Sequence, residues 1–491
     1  MTPTARFVRD SRSLLRLASP IILSQLAQIL VGFLDTVMSG HAGAAEQAVV
    51  AIGVALWIPM FVGLSSTVQA VSPIIAHHVG ARDHAAVVRD AREGIWLAAL
   101  FGLVPLLLVP FAPAVLTFAG IEPYLAERTT VFLWGIGLGM PAALVYRSLA
   151  FYSSSINQTL PIMVLSFVAL GVNALLNWVL IYGHFGMPAM GGAGCGWATG
   201  IGMWVGLLLL VAWTRHAAAY KPYYLWRDWA LPTRAAQLRL LRLGAPMGAT
   251  GFAEVAAFAS IAVLVGRFGE VQVAAHQIAL NFAAMVFMLP MGVSAAITIR
   301  VGQSLGAGDP EGAKRVAWTG VALGFAIAAL AIAPIILLRH PIAAVYSADA
   351  AVRALAATLL LFAAFWQVFD ATQVCALGAL RGYKITLMPM VLASFLRLVT
   401  SPKIFRLATP IEDAVAFVDA LVASPGVQLA VLGPEWPKLR QLCLDKQLGG
   451  NDLPDAWLSA AVGHLGEHLV SFDRDFRKLL GRGQFTLLAP T

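Results

Sequence analysis

Charge is scarce in this sequence, and most scarce where the chain is longest. Asp, Glu, Lys and Arg make up 12% of the 491 residues, and residues 1–400 hold only 15 acidic side chains. A chain that is 59% hydrophobic with a mean hydropathy of +0.78 has too little polar surface to cover a soluble domain. The first 400 residues are therefore expected to lie in a bilayer. Cysteine is nearly absent too. Cys195, Cys375 and Cys443 are odd in number and far apart, which argues against a disulfide framework or a cysteine metal cluster. The N-terminus also lacks a signal-peptide cleavage pattern. Its basic lead, Arg6, Arg9, Arg12 and Arg16, runs into an apolar stretch that continues to Met38, as a first membrane helix would.

What is present is long apolar segments. They fall near 14–38, 47–73, 94–117, 129–150, 160–182 and 195–213, then near 243–266, 273–299, 316–338 and 354–378. This predicts six helices followed by four. With the N-terminus placed in the cytoplasm, 19 Lys and Arg of residues 1–384 fall in inside loops, and only Arg128, Arg267, Arg339 and Arg353 face out. The positive-inside rule then accounts for the net charge of +8 without nucleic acid. Both termini are expected in the cytoplasm, with residues 214–239 as a linker between two halves.

The halves resemble each other. LLRLASP (14–20) returns as LLRLGAP (240–246), and VGARD (79–83) as LGAGD (305–309), both 226 residues later. About 70 residues thus align without a gap, including Pro20 and Pro246, prolines expected to bend or end helical hydrogen bonding locally. Repeats of this kind suggest two bundles moving against each other around a central site. Only three acids fall inside apolar spans: Asp35, Glu254 and Asp370. A carboxylate there costs about 2.5–3.5 kcal/mol on insertion scales, so each is a functional candidate before it is a packing residue. A desolvated carboxyl can exchange a proton or shed it to bind Na⁺, and an organic cation can compete for the same charge. Asn173 and Asn177 lie four apart, hence on one helix face, where they either ligate an ion or bridge helices.

FLDTVMSGH, LNWVLIYGHFGMPAMGGAGCGWAT, HQIALNF, FMLPMGV, IRVGQSLGAGD and GALRGYK together resemble the multidrug and toxic compound extrusion (MATE) transporters, NorM-like branch, over about residues 11–392. The resemblance implies a secondary antiporter of the bacterial inner membrane, not an enzyme. It would be monomeric, would need no cofactor, and would export bulky, often cationic drugs against Na⁺ or H⁺. It also implies essential acids at Asp35, Glu254 and Asp370 and ion-site polar groups near Asn173 and Asn177. The family has six helices in each half. Here the second half supplies four and the start of another, ITLMPMVLAS, so transport is expected to be impaired.

Beyond residue 400 the composition changes: 19 charged residues in 401–491, about one in five, against 39 in 1–400. Helical and strand patterns alternate, as in a piece of parallel sheet. SFLRLVTSPKIF, GGNDLPDAWLSAAV and LVSFDRDF resemble the C-terminal half of a VapC-type PIN-domain ribonuclease. That resemblance places Asp455 and Asp473 on the family's later Mg²⁺-binding acids. The first strand with its leading Asp is absent, and the next acid would fall near Pro389, so the fragment is expected to be catalytically incomplete. The expected architecture is an all-α polytopic membrane protein of two repeated bundles, 6 + 4 helices plus a stub, with a short soluble α/β tail. Its divisions are 1–213, 214–239, 240–392 and 393–491.

Overall fold

In lipid a backbone has no water to bond, so a spanning segment must satisfy its own N–H and C=O groups, and a helix does this. The computed structural model describes residues 3–265, 268–347 and 349–385, and in the tail 435–448, 452–465, 468–471, 476–481 and 483–487. The first half holds α1 (Pro3–Ala42), α2 (Ala44–Val68), α3 (Val71–Gly80), α4 (His84–Leu108), α5 (Ala112–Phe118), α6 (Pro123–Ser155), α7 (Leu160–Tyr182) and α8 (Gly191–His216). The second holds α9 (Arg234–Val265), α10 (Glu270–Gly306), α11 (Pro310–Tyr346) and α12 (Ala350–Gly382). Among the described residues nine segments are long and apolar enough to cross a membrane, with α2–α3 and α4–α5 each counting as one. The 32-residue α9 is a tenth long helix. A 37-residue helix such as α10 is about 56 Å long and projects well past a hydrocarbon core of about 30 Å. The helices therefore overrun the apolar segments, because their amphipathic ends continue outside the lipid.

The repeat is longer in the structure than in the sequence. Segment 44–80 corresponds to α10, and the starts of α4 and α11 correspond, all at an offset of 226. The ends of α6 and α12 correspond at 227. Four spanning segments of each half therefore share one plan, although only about 70 residues keep matching sequence. Pro20 and Pro246 lie inside α1 and α9, which begin well before them and run through, so neither proline ends its helix.

Large apolar side chains point outward: Phe118 is 95% exposed, Leu337 76% and Leu330 75%. In water each would forgo about 1.5–3 kcal/mol of burial, whereas against lipid tails the loss disappears. Polar groups turn inward instead, and Asn177, Ser39, Ser153 and Thr129 are buried. The connection between the halves packs on α4. There Arg92 donates to the carbonyls of Leu225 (2.9 Å) and Asp228 (3.0 Å), and Glu93 accepts from the Thr233 hydroxyl at 2.8 Å.

Residues 385–491 form a separate unit. Its described residues include α13 (Trp436–Lys446), α14 (Leu453–Leu465), β1 (Leu469–Ser471), α15 (Phe476–Leu479) and β2 (Phe485–Leu487), with β1 and β2 paired in parallel. Leu439 and Cys443 of α13 pack on Leu453, Ala456 and Ala460 of α14. The stub after Ile385, the helix and strand patterns at 411–433, and Asp473 lie outside the described residues.

Candidate functional site

The first-half site grows from close helix packing. Glycines on α8 let it ride against α6: a Cβ on Gly196 would strike the Phe132 carbonyl oxygen, and one on Gly200 the Gly135 carbonyl oxygen. α7 and α1 close the other sides. Asp35 on α1 is thereby enclosed, at 9% exposure, with Asn173 at 3% and Asn177 at 0%.

These side chains form a closed ring. Asn177 Nδ2 donates to Asp35 Oδ1 at 2.6 Å and to Asn173 Oδ1 at 3.0 Å. Asn173 Nδ2 donates to Thr199 Oγ1 at 3.2 Å, and Thr199 Oγ1 donates to Asp35 Oδ2 at 3.2 Å. Cys195, also on α8, lies within electrostatic reach of the same carboxyl. Both carboxyl oxygens accept, the arrangement an ionised carboxylate prefers. One acceptor is left over: Asn177 Oδ1 is buried with no hydrogen-bond partner among the described residues. A buried orphan oxygen beside a carboxylate costs about 1–3 kcal/mol until a donor or cation meets it. The i, i+4 asparagine spacing thus brings both amides to Asp35. Thr199 and Cys195 carry no signal in the sequence, because only the α6–α8 glycine contact brings α8 close enough.

The second half is built differently. Glu254 on α9 is exposed, and Asp370 on α12 is half-buried. Each lies within electrostatic reach of the other, and Arg381 lies within reach of Glu254. No hydrogen bond joins the two acids among the described residues. Glu254 and Asp370 belong to the second half and Asp35 to the first. At the 226 offset the partner of Glu254 is Gln28, not Asp35, which sits two helical turns further along. Gln28 Oε1 accepts a 2.6 Å hydrogen bond from Arg147, whose guanidinium lies 5.7 Å from the Phe61 ring centroid. Arg147 thus lies within α6 (Pro123–Ser155), eight residues before its end.

In the tail, Asp455 sits half-buried in the first turn of α14. Among the described residues no group of three or more His, Cys, Asp or Glu could hold a metal ion.

The MatE family model matches residues 20–179 and 246–402. The chain is 42% identical over 392 residues to the probable multidrug resistance protein NorM of Chromobacterium violaceum, covering 79% of this chain and 84% of that one. It is 42% identical over 397 residues to the multidrug resistance protein PmpM of Pseudomonas aeruginosa, covering 80% and 83%. Its fold is similar to the crystal structure of the eukaryotic MATE transporter AtDTX14, with a TM-score of 0.70 at 17% identity over 93% of each chain.

Proposed function

Because this chain belongs to the MATE family, whose members are secondary multidrug transporters and not enzymes, we propose that it is a cation-coupled efflux antiporter of the bacterial inner membrane. Its substrates are organic drugs, often cationic, and its coupling ion is Na⁺ or H⁺. The unsatisfied Asn177 Oδ1 within the Asp35 ring carries this reading. A half-turn of the Asn177 amide would present that oxygen toward Asp35. A proton on Asp35 would then have an acceptor, and a Na⁺ ion would find carboxyl, amide and hydroxyl oxygens, the ligands hard cations take. Either occupant removes the negative charge that an organic cation would otherwise be drawn to. Glu254 and Asp370 supply a second acidic pair in the other half, and the two halves rock about the substrate path between them.

The charge asymmetry of the loops supports an orientation with both termini and the tail in the cytoplasm. The sequence of the second half supplies four apolar segments and the start of another, so the chain is expected to cycle slowly. The tail is read as an incomplete PIN-like fragment, supported by its charge density and by the motif around Asp455 and Asp473, without a nuclease role. Vesicles holding the purified chain and a cationic dye provide the test, with Na⁺ and pH gradients imposed separately. Dye movement that follows one gradient, and stops when that gradient is collapsed, is the expected result. Movement indifferent to both gradients would sink the proposal.

A further inference from the structure

Where α3 meets α10, the two halves touch backbone to backbone. A Cβ on Gly80 would strike the Gln303 carbonyl oxygen, and one on Gly306 would strike that of His77. Gly80 and Gly306 are 226 apart, and so are His77 and Gln303, so each contact is the mirror of the other under the repeat. Only glycine permits this approach, which brings Cα–H groups onto carbonyl oxygens.

The side chains beside these glycines repeat the symmetry. His77 Nε2 lies 2.8 Å from the carbonyl oxygen of Gly382, the last residue of α12. Gln303 Nε2 donates at 2.9 Å to the carbonyl of Ser155, the last residue of α6. Each helix there ends with carbonyls that have no partner within the helix and carry the negative end of its dipole. Each donor comes from the opposite half. His77 of the first half caps a helix of the second, and Gln303 of the second caps a helix of the first.

We propose that His77 and Gln303 are the gate-holding residues of the transport cycle, a reciprocal pair that clamps a helix end of the opposite half and keeps this end of the protein closed. They act through helix position and touch no substrate. For the halves to rock apart here, both hydrogen bonds must break together with the Gly80 and Gly306 contacts. The sequences differ at the two sites, yet both side chains present one N–H at the same reach. The inference rests on the rocking-bundle reading above and on the cytoplasmic orientation given with it.

Spin labels at Ala85→Cys and Glu311→Cys test it, since both sites are exposed, lie beside the gate and are related by the repeat. The native cysteines Cys195 and Cys375 are buried, as is Cys443. The full chain in lipid nanodiscs is measured by pulsed dipolar spectroscopy, which reads gate separation whatever ion is coupled and whether or not drug moves. His77→Ala and Gln303→Ala should each lower the closed-to-open ratio about fivefold, the equivalent of about 1 kcal/mol per net hydrogen bond. The pair together should lower it about 25-fold. His77→Gln, which restores a donor and makes the two sites alike, should return the closed population. Unchanged distances in the alanine variants, or a His77→Gln distribution no more closed than His77→Ala, would overturn the proposal. Failure of the vesicle dye assay alongside a responsive gate would count against the antiporter reading and leave the gate standing.

Discussion

Asn177 donates to Asp35 over 2.6 Å while its own side-chain oxygen, fully buried, goes unpaired among the described residues. The amide is therefore set for an ionised Asp35 and leaves an acceptor for whatever neutralises it. Asp35→Asn should bring gradient-driven dye movement to the background of empty vesicles, because the exchangeable charge is gone. Thr199→Val removes one donor to Asp35 and one acceptor from Asn173. It should weaken coupling-ion affinity about fivefold to tenfold, at about 1 kcal/mol per net hydrogen bond, with the maximal rate retained. Ion titrations of the two variants check both statements.

Glu254 and Asp370 lie within electrostatic reach, so their effects are not independent. Glu254→Gln and Asp370→Asn should each slow coupled efflux, and the double variant should lose less than the product of the two single losses. Efflux rates at equal membrane abundance decide this. Full activity in either single variant would remove that residue from the mechanism.

How far the sequence carried the reading depended on whether neighbours were local or distant. Asp35 stands out as a charge in an apolar run, and Asn173 with Asn177 as an i, i+4 pair; both signals are local to one helix. Thr199 sits in GGAGCGWATG, where nothing marks it, and it enters the ring only through Gly196 and Gly200 packing on α6. The apolar run near 129–150 ends short of the helix, since α6 continues to Ser155. The repeat was visible over about 70 residues because gate glycines and charged turns are held by close contacts. The flanking helices keep the plan with different apolar residues, since lipid and packing accept many.

The α6–α8 contact makes a stability prediction separate from transport. Gly200→Ala drives a methyl into the Gly135 carbonyl, whereas a Cβ at Gly202 meets nothing within 4 Å. Overpacking of this kind costs about 1–3 kcal/mol. Gly200→Ala should lower the thermal midpoint in detergent and Gly202→Ala should leave it unchanged. Equal midpoints for the two variants would show that the helices have room to separate.

The full chain should not cut RNA in Mg²⁺ or Mn²⁺. Divalent ions want a nearly complete oxygen shell, and Asp455 with Asp473 alone falls short of one. Incubation with a labelled single-stranded RNA checks this. Metal-dependent cleavage lost in Asp473→Asn would give the tail an activity that the present reading denies it.

In this mechanism an inorganic cation or proton and an organic cation contend for the charge of Asp35. Equilibrium binding of tetraphenylphosphonium to the purified chain, titrated with Na⁺ at fixed pH and with pH at fixed Na⁺, tests it without requiring turnover. Rising concentration of the coupling ion should weaken probe binding in the unsubstituted chain, and Asp35→Asn should abolish this dependence. Probe binding that responds to the ion equally in the chain with and without Asp35 would contradict it.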